Sequence, residues 1–362
     1  VSKSCYPDFA TGRGSPANRT PLRFNLKERV ADGDWLDERE RLDGEPPKLR
    51  TTVTEEFPKS ILSFNSSPDL PFDRSINAYR GCEHGCIYCY ARPTHAYHDL
   101  SPGLDFESKL FAKPGAAALL RKTLAKPGYV PAPIAIGTNT DPYQPIERSY
   151  RITRQILEVM VETRHPVVIT TKSARVLDDI DLLADLARDE LTGVALSVTT
   201  LDPHLTGILE PRASSPKNRL MAVRKLSEAG IYTHVNVAPV IPAITDHEIE
   251  AIVAAAVEHG AKSLSWIPLR LPHELAPLFR DWLQVHFPDR AGKVTNIIRD
   301  LRGGKDNDPD FFTRMKGQGA WAELIQTRFV IARKKAGLGS SKWGVRSDLF
   351  RPPNIDGQMS LF

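Results

Sequence analysis

The sequence predicts an α/β fold of about six βα units, fewer than the eight that close a barrel. Two observations carry this. From about residue 70 to 270, short apolar β-rich runs alternate with stretches of helical period. The runs are nearly continuously apolar, as strands of a parallel sheet covered by helices are. A chain of 362 residues, 41% hydrophobic and 25% charged, has the composition of a globular protein with one large or two ordinary domains.

Taken in order, "APIAIGT" (132–138) reads as a buried strand. Residues 150–164 place Ile152, Ile156, Leu157 and Met160 on one helical face. Strand 166–172 follows, then helix 178–190, strand 193–200 and helix 215–230, which Gly230 ends. Strand 232–242, helix 246–260 and strand 262–269 complete the alternation, and one further strand is expected before residue 81. The expected organisation is an irregular N-terminal arm and wrap (1–65), a core (66–270), a basic helical region (271–335) and a C-terminal tail (336–362).

No apolar run approaches the ~18–20 residues of a membrane span, and no signal-peptide core is apparent. The polar, Pro/Gly-rich start reads as a flexible arm, with a transit peptide as its runner-up. Four cysteines, three of them clustered, make no disulfide framework. They suit a reducing, cytoplasmic compartment in which thiolates bind metal. A net charge of +4 is too small to establish a nucleic-acid partner by itself.

The chemistry concentrates in "GCEHGCIYCYARPTH" (81–95), where Cys82, Cys86 and Cys89 lie within eight residues. A loop lets such side chains converge. Three thiolates can hold three irons of a [4Fe–4S] cube and leave the fourth open to a non-protein ligand. The alternatives are a zinc site completed by His84, His95 or His98, and three unrelated buried cysteines.

This CxxxCxxC spacing, with an aromatic before the last cysteine and six βα units, resembles the radical S-adenosylmethionine enzymes. Residues 63–95 resemble throughout the branch of spore photoproduct lyase and its bacterial relatives. The resemblance implies a partial (βα)6 TIM-type barrel. It implies S-adenosylmethionine on the open iron and an electron donor such as flavodoxin or ferredoxin. The activity implied is generation of a 5′-deoxyadenosyl radical that abstracts hydrogen from substrate, damaged DNA in this branch. It casts Tyr88 and Tyr90, which flank Cys89, as shields of the cluster or hydrogen relays. It places Lys172 at the cofactor carboxylate and Ser197 near the same cofactor. The loop "NTDPYQPIE" holds Asn139, Asp141, Tyr143 and Glu147 at a strand end, where ligand loops of parallel sheets lie. Glu210 is expected on a ribose hydroxyl and Arg212 on a substrate phosphate, with capping or salt bridging as the plain alternative for both. Asn236 is a strand amide that needs a partner, protein or cofactor.

The chain also departs from the lyase. Where the lyase carries a hydrogen-donating cysteine, "GTNTDP" offers no thiol, and the one other cysteine is Cys5 in the arm. The region from 270 to 351 has an excess of Lys and Arg, with Trp321 and Trp343 interspersed. Such a mix suits phosphates and unstacked bases, or else an ordinary helical cap with a solvated basic face. The end, Gln358-Met359-Ser360-Leu361-Phe362, resembles the bacterial sliding-clamp binding peptide. The expected function is a radical enzyme that repairs DNA while tethered to the clamp. The alternatives are a radical enzyme acting on a small molecule, RNA or protein, and a metal-bearing DNA-binding adaptor without turnover.

Overall fold

The computed structural model describes residues 14–15, 50–339 and 343–354. Its strands are, in chain order, β1 (Thr52–Glu55), β2 (Leu62–Phe64), β3 (Arg74–Ile76), β4 (Tyr79–Arg80), β5 (Lys109–Ala112), β6 (Ile134–Ile136), β7 (Val167–Thr171), β8 (Thr192–Ser197), β9 (Tyr232–Val240) and β10 (Ser263–Pro268). A seven-stranded sheet has the order β10-β9-β8-β7-β6-β3-β2. β3 and β6 to β10 run parallel, and β2 pairs antiparallel with β3. This is the expected six-unit partial barrel, with β3 as the strand before the cysteine loop. A second sheet of three strands, β1-β5-β4, lies beside it. Neither β1 nor β5 was legible as an apolar run, because each is a strand of four residues in a small sheet, β1 at its edge and β5 at its centre, whose pairing comes from distant segments.

The helices form where their apolar period is matched by end signals. Ser215 accepts from the Asn218 N–H and Pro216 occupies the first turn of helix Pro216–Glu228. Helix Ile152–Thr163 is capped instead by Glu147, which accepts from the N–H groups of Thr153 and Arg154. One face of the sheet is apolar: Val194, Leu196, Val235, Val237 and Leu264 share a core with Ile156, Leu220 and Ile252 of the covering helices. Side chains alternate along strands, so Ser197, His234, Asn236, Ser263 and Ser265 line the other, inner face. Strand register pairs Ser197 with Asn236, and Asn236 with Ser265.

The C-terminal helices Leu275–His286 and Pro288–Leu301 build a second core with the cysteine loop. Leu275, Phe279, Trp282 and Val294 join Cys86, Ile87 and Tyr88 in it. The basic region is therefore a cap over the site on its apolar side, while Trp321 remains half-buried in a 650 Å³ cleft with Arg290 and Lys293.

Residues 343–354 are tied to the barrel at several points, where the sequence suggests a loose tail. Trp343 stacks on Tyr232 with centroids 4.2 Å apart. The Arg346 N–H donates to the Glu190 carbonyl at 3.0 Å, and the Arg351 N–H to that of Thr163 at 2.8 Å. Phe350 sits 5.4 Å from both the Tyr129 and the His165 rings. These partners stand at the N-terminal ends of β6 to β9. The strap thus closes the floor of the barrel, and Trp343 is spent on Tyr232 rather than held ready for a base. Gln358, Met359, Ser360, Leu361 and Phe362 lie outside the described residues, as does Cys5.

Gly193 leaves room for this strap, since a Cβ there would lie 2.3 Å from the Trp343 ring. Gly193→Ala is expected to destabilise the protein by about 1–3 kcal/mol through overpacking. Trp343→Ala should cost a similar amount alone but little more in the Gly193→Ala background. Denaturant titration of the four proteins checks this; strictly additive losses would refute the contact.

Candidate active site

The loop after β4 turns at Gly81 and Gly85, whose φ values of 71° and 68° favour glycine. A Cβ on Gly81 would come within 2.7–2.8 Å of Leu110, His95 and the Phe106 backbone. Cys82 and Cys86 are buried and Cys89 is half-buried. The loop is held by Arg92, whose side chain is fully buried. Its Nε donates to the Cys86 carbonyl at 2.8 Å and its Nη1 to those of Pro102 and Gly103 at 3.0 and 2.9 Å. Its Nη2 donates to the Gly85 carbonyl at 3.0 Å and to Glu107 Oε1 at 2.5 Å. All five guanidinium donors are thereby used. Glu107 in turn accepts from the N–H groups of Gly14 and Ser15.

Burial pushes the Cys82 and Cys86 thiols well above their ordinary pKa. Thiolates there need a compensating positive charge, which a metal centre supplies. No histidine takes the fourth-ligand place of a zinc site. His84 Nδ1 faces Asp141 at 3.4 Å, His95 Nε2 bonds the Lys109 carbonyl at 2.8 Å, and His98 packs 4.8 Å from the Phe111 ring. Among the described residues no three His, Cys, Asp or Glu side chains form a group that could hold one ion. The donor set, three thiols on one glycine-turned loop, fits a [4Fe–4S] cube in which each thiolate takes a separate iron.

Around the loop stand the C-terminal ends of the parallel strands. Lys172, just past β7, is half-buried with its Nζ 5.6 Å from the Tyr88 ring centroid. Ser197 ends β8, buried on the inner face. Asn139 is half-buried beyond β6, its N–H donating to Asn77 Oδ1 at 3.0 Å. The phenol of Tyr90 bonds the Thr138 carbonyl, and the residue is half exposed. These four side chains and the thiols are brought to one end of the barrel.

The other expected residues are engaged by protein. Asp141 accepts from the Thr171 hydroxyl and from the Lys172 N–H, both at 2.7 Å. Burial alone would raise its carboxyl, but His84 and these donors hold it down at about 2. Both Glu210 oxygens are taken, one by the Tyr88 and Thr199 hydroxyls and the other by Arg219. The ribose contact expected for Glu210 is therefore replaced by a buried ion pair, and Tyr88 is tied to it. Arg212 pairs with Glu83 at 2.6 Å. Asn236 Oδ1 accepts from the Ser265 hydroxyl at 2.7 Å. Tyr143 does not join the site: it is buried, and its hydroxyl donates to Asp179 at 3.1 Å. Its burial pushes the phenol far above its ordinary pKa.

Sequence reasoning missed Arg92, Glu107, Gln144 and Arg219. Gln144 is fully buried, accepts from the Glu83 N–H at 2.9 Å and donates to the Gly81 carbonyl at 3.2 Å. The one local signal was Arg92, placed between the cysteine motif and a helix-starting Pro93. Its partners are set only by folding.

A model of the Radical SAM superfamily matches residues 76–256. An uncharacterised protein of Mycobacterium tuberculosis (strain ATCC 25618 / H37Rv) is 34% identical over 232 residues, covering 64% of this chain and 68% of its own. A Radical SAM Nalpha-GlyT isomerase of Pseudomonas phage M6 is 24% identical over 275 residues, 72% of this chain and 54% of that protein. Among solved structures, a spore photoproduct lyase variant superposes with a TM-score of 0.54 at 16% identity, over 78% of this chain and 79% of that one.

Anaerobic reconstitution is expected to give about four irons per chain; one tight zinc without sulfide would refute it. Arg92→Met removes the guanidinium that balances the buried Glu107 carboxylate. It should cost about 3–5 kcal/mol of stability and reduce the iron retained, as read by denaturation and metal analysis. Lys172→Ala should weaken S-adenosylmethionine binding by about 1.5–3 kcal/mol, the worth of a hydrogen bond to a charged group. Unchanged affinity by calorimetry, with the iron content intact, would remove Lys172 from the cofactor site.

Proposed function

The chain belongs to the radical S-adenosylmethionine superfamily, and on that premise we propose that it repairs or rearranges a damaged or modified base in DNA. The family uses a [4Fe–4S] cluster, S-adenosylmethionine and an external electron donor. When bound here, that pair supplies a 5′-deoxyadenosyl radical for hydrogen abstraction. Cys82, Cys86 and Cys89 would hold the cluster, and Lys172 would meet the cofactor carboxylate.

The observation that carries the reading is the division of labour between the two tyrosines beside Cys89. Tyr88 is buried and locked to Glu210 and Thr199. Tyr90 is half exposed at the thiol end of the barrel, with its hydroxyl on the Thr138 carbonyl. A phenol there can give and regain a hydrogen atom, against the 137–142 loop where the lyase branch carries its thiol. Lyase and isomerase reactions are both redox-neutral, and a relay that restores hydrogen to the product serves either. A target base in duplex DNA would have to leave the stack, which costs least for a damaged one. No described helix is long and apolar enough to cross a membrane, and we place the enzyme in the cytoplasm.

The test is anaerobic incubation with irradiated DNA, reductant and S-adenosylmethionine, followed by mass analysis of the nucleosides. A changed lesion content with matching 5′-deoxyadenosine release is expected. Cofactor cleavage with unaltered DNA would favour a small-molecule, RNA or protein substrate instead. No cleavage by a cluster-loaded protein would favour an adaptor without turnover. Tyr90→Phe should retain cofactor cleavage and lose most product, while Tyr88→Phe should lower stability first. Equal turnover by Tyr90→Phe would exclude the relay.

We also propose that Gln358 to Phe362 bind the sliding clamp, with Leu361 and Phe362 as anchors. Binding should be micromolar, about −8 kcal/mol, and useful by tethering. Deleting the five residues should abolish clamp pull-down and spare turnover on short oligonucleotides. Loss of cofactor cleavage on deletion would refute the tether.

A further inference from the structure

Arg270 stands two residues beyond β10, at the same end of the barrel as the thiols. Its neighbours Leu269 and Leu271 are buried in the second core, which pins the backbone at this point. The guanidinium is partly buried, and its Nε is buried without a hydrogen-bond partner. Its one polar contact is Nη1 to the Met315 sulfur at 3.5 Å. No carboxylate among the described residues lies within ion-pair distance of it. Its Cζ lies over the Tyr90 ring, 6.0 Å from the centroid. A guanidinium taken from water without a charged partner is costly, and such a group is ordinarily paired.

The surrounding charges narrow the ligand. Arg314 is neutralised by Asp69 at 2.5 Å. Arg302 is fully buried and spends its Nη groups on the carbonyls of Leu269 and Arg314. Asp308 stands near Arg270, Arg302 and Lys305 and accepts from the Thr313 hydroxyl at 2.7 Å. With Asp69 and Asp308 set against Arg270, Arg302, Arg314 and Lys305, positive charge is left over, and Arg270 is the one of the three arginines without a hydrogen bond to a protein oxygen among the described residues. A fork of N–H donors beside an accessible aromatic suits a singly charged oxyanion linked to a planar ring.

We propose that Arg270 receives a substrate phosphodiester and thereby sets the adjoining base beside Tyr90. This rests on the nucleic-acid reading above and names its positioning residue. Arg270 fixes the register of the strand, and Tyr90 faces the base that the register delivers. A phosphate contact of this kind positions without reading sequence.

The experiment is fluorescence-anisotropy titration of cluster-loaded, full-length protein with labelled oligothymidylate across a series of salt concentrations. Arg270→Gln should weaken binding about tenfold and reduce the salt slope by about 0.7, the value for one phosphate on a single strand. Arg270→Lys keeps the charge and should restore the slope with part of the affinity. Iron content and S-adenosylmethionine affinity should match wild type in both variants. Wild-type affinity and slope in Arg270→Gln would overturn the assignment while leaving the nucleic-acid reading intact. Loss of iron or cofactor binding in either variant would overturn it in favour of a structural role. Failure of the wild-type protein to bind any oligonucleotide at low salt would instead overturn the nucleic-acid reading, and retention of polyglutamate in that case would assign Arg270 to a carboxylate.

Discussion

The site depends on a buried arginine with no donor to spare. Three thiols on one loop repel each other when ionised and have no regular structure to hold them. Arg92 supplies the frame by donating to four carbonyls and one carboxylate, drawing Gly85, Cys86, Pro102 and Gly103 onto one plane of donors. A charge this deep is tolerated because every N–H is satisfied and Glu107 balances it. These bonds are made within the protein and none of them uses a thiol, so the frame of the loop leaves all three thiols available to a metal.

A second buried pair performs the corresponding task across the site. Glu210 and Arg219 join the segment after β8 to the cysteine loop through Tyr88 and Thr199. The backbone follows, with Ile87 donating to Leu209 at 3.0 Å and Arg212 to His84 at 3.2 Å. Asp141 makes the third tie, linking the β6 loop to the end of β7 and to His84. Buried carboxylates therefore clamp the loop on several sides. The side chains left over, Lys172, Tyr90, Ser197 and Arg270, are those turned to the space between strand ends, where ligands of parallel sheets bind.

The two ends of the barrel divide stability from chemistry. At the floor, Trp343 and Phe350 cover the starts of β6 to β9 and Gly193 yields space to the indole. At the mouth, the C-terminal helices seal one side with Phe279 and Trp282, the latter donating its indole N–H to the Ile208 carbonyl at 3.1 Å. Most of the basic character of that region lies on the outside of an apolar cap; Arg302 is fully buried and Arg270 partly so.

The sequence by itself determined the six parallel units, because buried strands and amphipathic helices leave periods that can be counted residue by residue. It also determined the three thiols, whose spacing is local, and the place of Lys172, which follows from the end of a strand. Tertiary structure decided which polar residues remain free. Asp141, Glu210 and Asn236 read alike as ligand candidates, yet each found a protein partner from a segment remote in sequence. Tyr143 turned toward Asp179, while Tyr88 and Tyr90, two residues apart, took opposite fates. A buried polar group must find a partner, and which one it finds depends on what the fold brings within 3 Å or so. That distance is set by packing between elements, so no local pattern in the chain contains it.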